Sequence, residues 1–345
     1  MKNGISIYFG LDNTLEENIE LIKRAHALGI RKIFTSLQIP ETDDSRLKPE
    51  LTTVLELTKS MNMEVVADVN ALLLRDTPNL AGLGIQRLRL DDGYNAQQIT
   101  SFSRRFPICL NASTLDGIAL NKLAKLEMNF DNTEAIFNFY PHPHTGQTAE
   151  LVYERTKLLQ AFGIKVSAFV PSENRKRGPI YKGLPTIEAS RNLSVQQAAF
   201  QLAAMGLDGI FIGDSLPSDE EIQILAKLNV PSVLELPCES LEDNLGLQDM
   251  VFTVRPDISP CLIRTMEARK TLGHQTISAK ESMPVTRGSI VLDNDGYGRY
   301  KGEIGISKVN LPPDSKVNVI GQIKASESYL LDCLWPGTRF KLVKL

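Results

Sequence analysis

From Gly4 to about Leu228 the chain repeats one unit about eight times: a short apolar run, then a stretch whose apolar residues recur at helical spacing. The runs are residues 5–9, 32–37, 64–69, 87–90, 108–112, 135–140, 165–170 and 209–213. The helical patterns between them carry their own boundaries. Thr14 followed by Glu16 and Glu17 reads as a cap with early acids, Leu28-Gly29 closes the same helix, and Gly163 and Gly206 end later ones. Strand then helix, about eight times over roughly 230 residues, predicts an α/β fold in its closed form, the (β/α)8 TIM barrel. An open doubly wound sheet is the alternative, but no G-x-G-x-x-G follows the first run.

Past Val230 the pattern changes. Runs at 233–236, 251–254, 289–292, 302–306, 317–323 and 340–343 alternate with Pro, Gly, Asn and Asp turns, and only 260–271 looks helical. Asn294-Asp295-Gly296 predicts a tight hairpin turn. A chain of 345 residues exceeds what one core usually holds. The expectation is therefore a barrel domain over 1–231 and a smaller β-rich domain over 232–345.

Charge and cysteine content narrow the class. A net charge of −3 and a pI near 5.9 give no general attraction for nucleic acid or an anionic membrane, so an anionic ligand needs a local cationic cluster. The start after Met1 is too short for a signal-peptide apolar region, and no later run has the length of a membrane span. Cys109, Cys238, Cys261 and Cys333 lie far apart with no C-x-x-C pair. Together these predict a cytoplasmic protein with reduced thiols.

In a barrel the chemistry gathers at the carboxyl ends of the strands. The polar residues at those exits are Asp12; Gln38; Asp68 and Asn70; Arg89 with Asp91-Asp92; Asn111 and Ser113; Asn138, Tyr140, His142 and His144; Ser172 and Glu173; and Asp214. Several carboxylates at one mouth suit general acid/base work on a glycosidic or similar bond. Helix capping is the competing account for Asp12 and Asp214. The stretch from Asn138 to Gly146, between an apolar run and a helix, gathers amide, aromatic and imidazole groups on a Pro-stiffened turn. The long basic insertion from Arg175 to Glu188 offers Arg177, Gly178 and Lys182, with Arg191 just beyond, as a phosphate clamp. His142 and His144 have no third imidazole nearby in sequence, so no metal site is expected, and no motif asks for a cofactor.

Several ordered motifs carry a resemblance. Gly4-Ile5-Ser6-Ile7-Tyr8, Leu88-Arg89-Leu90-Asp91, the stretch from Asn138 to Gly146, and Arg177-Gly178-Pro179 with Gly183-Leu184-Pro185-Thr186-Ile187-Glu188 lie in the first part. Arg287-Gly288-Ser289-Ile290, Asp293-Asn294, Tyr297-Gly298-Arg299-Tyr300 and Gly302-Glu303-Ile304 lie in the second. Over nearly the whole chain they resemble the bacterial 6-phospho-N-acetylmuramidase family. The resemblance implies a barrel joined to a cyclophilin-like β-domain. It also implies exo-hydrolysis, in cell-wall recycling, of the β-1,4 bond between N-acetylmuramic acid 6-phosphate and N-acetylglucosamine. The partner would be that phosphorylated disaccharide, with neither nucleic acid nor membrane; a homodimer is compatible. After the loop glutamate the expected His-Arg is replaced by Ala189-Ser190-Arg191, which leaves Arg191 available and no histidine.

By position, the catalytic candidates are Asp91, Asp12, Asp214 and Glu188. The substrate-binding candidates are Arg89, Asn111, Asn138, Tyr140, His142, His144, Arg177, Gly178, Lys182 and Arg191, with Arg287 and Tyr297 from the second domain. Adjacent Asp91 and Asp92 suggest a substrate-assisted route, one orienting and the other acting as acid. A sugar-phosphate isomerase or aldolase, with or without a metal, and a non-catalytic phosphosugar-binding protein are the rival readings on the same fold.

Overall fold

Strands that bury one face inside a barrel and the other beneath helices must be apolar on both faces, which is why the first part reads as apolar runs rather than alternation. The structure, a computed structural model, describes residues 1–42, 44–71 and 84–345. Contacts divide the chain into two compact units, Met1–Leu228 and Asn229–Leu345. In the first, β1 (Gly4–Ser6), β2 (Lys32–Ser36), β3 (Glu64–Val69), β4 (Arg87–Leu90), β5 (Ile108–Asn111), β6 (Thr133–Ile136), β7 (Lys165–Val170) and β8 (Gly209–Ile212) pair in sequence order, all parallel, and β8 closes on β1. The connecting helices are α1 (Leu15–Ala27), α2 (Asp44–Ser60), α3 (Ala96–Ser103), α4 (Gly117–Lys125), α5 (Ala149–Ala161), α6 (Val195–Ala204) and α7 (Asp219–Ala226). The helix expected between β3 and β4 falls on residues 72–83, outside the described residues.

Phe34, Val66, Cys109, Ile136, Phe169 and Phe211, one each from β2, β3 and β5 to β8, fill the barrel, and Phe139 packs onto them from above. Ring centroids of Phe34 and Phe139 lie 4.9 and 5.1 Å from that of Phe169. Each buried ring contributes about 1.5–3 kcal/mol over an exposed one. Gly4 is glycine for space: a Cβ there would sit 2.3 Å from the Phe211 ring and 2.7 Å from the Lys32 carbonyl oxygen. At the amino ends of the strands buried Lys32 and Glu134 and half-buried Glu64 and Arg87 form an ion network, at the end of a barrel that serves stability.

The second unit is one seven-stranded sheet in the order β10-β15-β9-β14-β12-β13-β11. Its strands are β9 (Leu234–Leu241), β10 (Phe252–Thr253), β11 (Leu262–Arg264), β12 (Ser289–Asp293), β13 (Ile304–Ser307), β14 (Val317–Ile323) and β15 (Arg339–Lys344). Only β15 and β9 run parallel. Two expectations are corrected here. The helix read over 260–271 is half strand: Leu262, Ile263 and Arg264 pair with β13, and only Ala268–Leu272 is helical. A short apolar run does not declare its period, and the open edge of β13 decides it. The tight hairpin turn at Asn294 is instead a 3-10 stretch, Asp295–Tyr300, capped by Asn294 and reversed at Gly298.

Candidate active site

Along a strand, residues two apart share a face, so Asp91 falls on the same side as Arg89, and Arg89 stands in register with Asp68 of β3. The consequence is a paired carboxylate centred on a buried cation. Arg89, 2 % exposed, donates from Nη1 to Asp68 Oδ1 at 2.5 Å and to Asp91 Oδ1 at 3.2 Å. Gln38 Nε2 bridges the other oxygens, 2.9 Å from Asp68 Oδ2 and 3.3 Å from Asp91 Oδ2. The pair is closed by a ring of hydrogen bonds. Asn111 Nδ2 donates to Asp91, Ser113 N to Asn111 Oδ1, Asn138 N to Ser113 Oγ, and Arg89 Nη2 to Asn138 Oδ1.

The electrostatics follow from that geometry. Burial works against the Arg89 charge, but the Asp68 and Asp91 carboxylates more than offset it and raise its pKa. Burial raises the pKa of Asp91, and the neighbouring Asp68 charge adds to it, against the opposing pull of Arg89 and of the Asn111 hydrogen bond. Asp91 is thus a carboxyl group biased towards keeping its proton. Asp92, its sequence neighbour, is exposed. The partner of Asp91 is Asp68, on the next strand.

The loop after β7 is organised by two of the other acids. Asp214 is fully buried and accepts from the backbone N–H groups of Ser172 (2.9 Å), Arg177 (3.0 Å) and Leu184 (3.2 Å). Burial raises its pKa, with those three bonds opposing. Asp12 accepts from Gly178 N at 2.8 Å and the Tyr181 hydroxyl at 3.0 Å. Neither acid is a helix cap, since Thr14 caps α1 and Ser218 caps α7. Both carboxylates fasten the loop.

Glu188 and Arg191 fasten the loop after β6 to it. Glu188 accepts from His144 N and Gly146 N at 2.8 Å each and from Arg191 Nε and Nη2 at 2.6 Å each. The Arg191 bonds lead the effects that hold its pKa down at about 2, so it has no proton to give at neutral pH. Arg191, 6 % exposed, also donates to the carbonyls of Gly183, Lys182, Tyr140 and His142. Its donors are committed to protein, which places it as a staple rather than as a phosphate ligand.

The remaining candidates are dispersed more unevenly. Tyr140, half-buried, receives Gln147 Nε2 on its hydroxyl at 2.9 Å, leaving the phenolic proton to donate. His142 and His144 are exposed; His142 Nδ1 lies 2.7 Å from the Pro143 carbonyl. Lys182 is exposed on the loop. Arg177 is 6 % exposed, with its guanidinium over the rings of Tyr8 at 4.8 Å and Phe139 at 4.9 Å. In the second unit, Arg287 pairs with both oxygens of Asp332 at 2.9 Å and with the Lys308 and Ser328 carbonyls, while the Tyr297 hydroxyl donates to Asp314 at 2.5 Å.

Position at a strand exit pointed to Asp68 and Gln38 without ranking them. The signal that ranks them is Arg89 itself, because a buried arginine on a central strand needs carboxylates on the adjacent ones. Tyr8 lies in the motif from Gly4 to Tyr8 and Phe139 in the stretch from Asn138 to Gly146, but nothing in the sequence pairs either ring with Arg177. Among the described residues no group of three or more His, Cys, Asp or Glu side chains is arranged to hold a metal ion, and no helix is long and apolar enough to cross a membrane.

Residues 3–227 match the family model described as 6-phospho-N-acetylmuramidase, N-terminal, and residues 232–343 the one described as 6-phospho-N-acetylmuramidase, C-terminal. Among solved structures, an uncharacterised protein of B. cereus is 29% identical, with 99% of each chain covered and a TM-score of 0.68. A conserved protein of unknown function from Enterococcus faecalis is 30% identical, covering 100% of this chain and 96% of its own, with a TM-score of 0.58. No curated protein matches the chain.

Proposed function

The chain belongs to the 6-phospho-N-acetylmuramidase family, and from that premise we propose that it hydrolyses the β-1,4 bond linking N-acetylmuramic acid 6-phosphate to N-acetylglucosamine, without a cofactor. The observation that carries the mechanism is the Asp68–Asp91 pair sharing two nitrogens, Arg89 Nη1 and Gln38 Nε2. Carboxylates bridged by the same two donors sit close together, and in this reading both face the substrate from one side. Laid end to end, the two bonds to either shared nitrogen also fall short of the roughly 6.5–9.5 Å an inverting pair needs.

Two carboxylates on one side of the substrate suit hydrolysis assisted by the substrate's own 2-acetamido group. Asp91, whose pKa is raised by burial, serves as the acid that protonates the glycosidic oxygen. Asp68, fixed by Arg89, accepts the acetamido N–H and turns its carbonyl oxygen towards C1. An oxazolinium intermediate forms as the glycosidic bond breaks; water then attacks C1, giving its proton to the now ionised Asp91 and breaking the bond between C1 and the acetamido oxygen, which returns the sugar with retained configuration. The basic loop after β7 supplies the cations for the 6-phosphate.

The test is turnover of a 4-methylumbelliferyl β-glycoside of N-acetylmuramic acid 6-phosphate. The expected result is hydrolysis with little or none of the unphosphorylated glycoside, because cations built for a phosphate are left unpaired without it. Activity survives EDTA. Equal rates on both glycosides, no turnover of either, or loss on EDTA restored by added Mg2+ or Zn2+ would each overturn the reading.

A further inference from the structure

Resting on the muramidase reading above, we infer that Arg177 recognises the lactyl carboxylate on C3 of the sugar, the group that separates muramic acid from glucosamine, and thereby sets the specificity of the site. Arg177 is held in an unusual condition. The residue is 6 % exposed, its guanidinium lies over the Tyr8 and Phe139 rings, its Nε donates only to the carbonyl of the next residue, Gly178, at 3.2 Å, and its Nη1 is buried with no partner. The nearby carboxylates are committed elsewhere: Asp214 takes backbone N–H groups, and Asp12 takes Gly178 N and the Tyr181 hydroxyl. A desolvated cation with a free donor costs stability that an arriving anion returns.

Shape and charge select which anion. A guanidinium edge meets a planar carboxylate through two parallel N–H bonds. One cation also balances one negative charge. A phosphate monoester brings close to two, and suits the ammonium groups of the same loop, of which Lys182 is exposed to solvent.

Placement agrees with the order of groups on the sugar. Asn138 accepts from Arg89, which holds the carboxylate pair, and the next residue, Phe139, lies under Arg177. On muramic acid the acetamido carbon C2 likewise neighbours the lactyl-bearing C3, whereas the phosphate on C6 lies across the ring. In this assignment C1, C2 and C3 meet Asp91, Asp68 and Arg177.

The experiment measures wild type, Arg177→Met and Arg177→Lys on β-glycosides of N-acetylmuramic acid 6-phosphate and N-acetylglucosamine 6-phosphate. Binding of the two free sugar phosphates is followed by calorimetry. The wild type is expected to favour the muramoyl compound by about a hundredfold in kcat/KM and tenfold or more in affinity, as for a site built around a polar group its rival lacks. Arg177→Met should bring both ratios to within about fivefold while keeping the preference for phosphorylated over unphosphorylated sugar, and Arg177→Lys should fall between. Should the Met variant not fold, the Lys variant carries the same comparison, since it keeps the charge and loses the planar edge. Undiminished discrimination in the variants, or loss of the phosphate preference in its place, overturns the assignment. A protein that hydrolyses neither glycoside but binds the two sugars with the expected Arg177-dependent ratio would sink the hydrolase and leave the assignment standing.

Discussion

At the residue scale the question is which carboxyl group moves a proton. Asp91→Asn keeps the shape of the side chain and removes the proton, so kcat should fall by about a hundredfold or more at an unchanged Tm. Asp92→Asn, at an exposed position of the same strand exit, should stay close to wild type. Equal losses in the two would show that the proton comes from elsewhere. Burial raises the pKa of Asp91, so activity that depends on its protonated form is lost as pH rises through that raised value, giving the basic limb of the pH–rate profile. Asp68→Asn should slow the reaction through the acetamido group, with a diagnostic of its own. Replacing the substrate's acetamido by trifluoroacetamido, a poorer nucleophile, should cost the wild type far more than the Asp68 variant, because the variant has already lost the orientation that makes the group useful. Equal sensitivity in both would return Asp68 to a purely structural part.

At the element scale, the loop from Ser172 to Arg191 is built inside out, around an acid. Asp214 does there what a bound anion would do, collecting the amides of Ser172, Arg177 and Leu184. Asp214→Ala should leave those amides without their acceptor, at a cost of about 1–3 kcal/mol, and lower Tm by several degrees. Amide hydrogen exchange at Arg177 and Leu184 should accelerate while the β7 amides stay protected; uniform acceleration across the barrel would mean the acid supports the core and not the loop. This loop also marks where the sequence stops being legible. The eight strands could be read because burial on both faces forces apolar runs, and the α1 boundary because Thr14 and Glu17 form a local capping box. The partners of Asp214, Asp12 and Glu188 lie 30 to 42, 166 to 169 and 3 to 44 residues away in the chain. Apart from Arg191, three residues from Glu188, no local pattern records them. Asp12 and Asp214 are legible as strand exits and Glu188 as the end of the basic insertion, and all three accept hydrogen bonds from loop backbone groups.

At the scale of the whole molecule, the family match spans both units, yet the polar groups of the second are largely engaged within it. Arg287 holds Asp332, and Tyr297 holds Asp314, so both substrate-binding candidates of this unit have partners within it. One group there should dominate a pH response. Asp293 is half-buried, and burial first, then the neighbouring Glu303 and Asp314 carboxylates, push its pKa up from 3.8 to about 7 against the pull of Arg269. The folded state therefore holds this proton up to about pH 7, where the unfolded chain releases it near 3.8. A raised carboxyl pKa contributes stability that is fully present below the unfolded value and is lost as pH rises through the folded one. Between about pH 4 and 7 the protein should lose that contribution, and above pH 7 it carries a poorly solvated charge near two others. Asp293→Asn keeps the shape of the protonated acid and cannot ionise. Scanning calorimetry of the full chain should show the variant and wild type converging near pH 4 and the variant melting higher at pH 8, measured beside a pH–activity profile whose basic limb belongs to Asp91. A constant offset across the range would mean that the substitution acts through packing and that Asp293 does not titrate there.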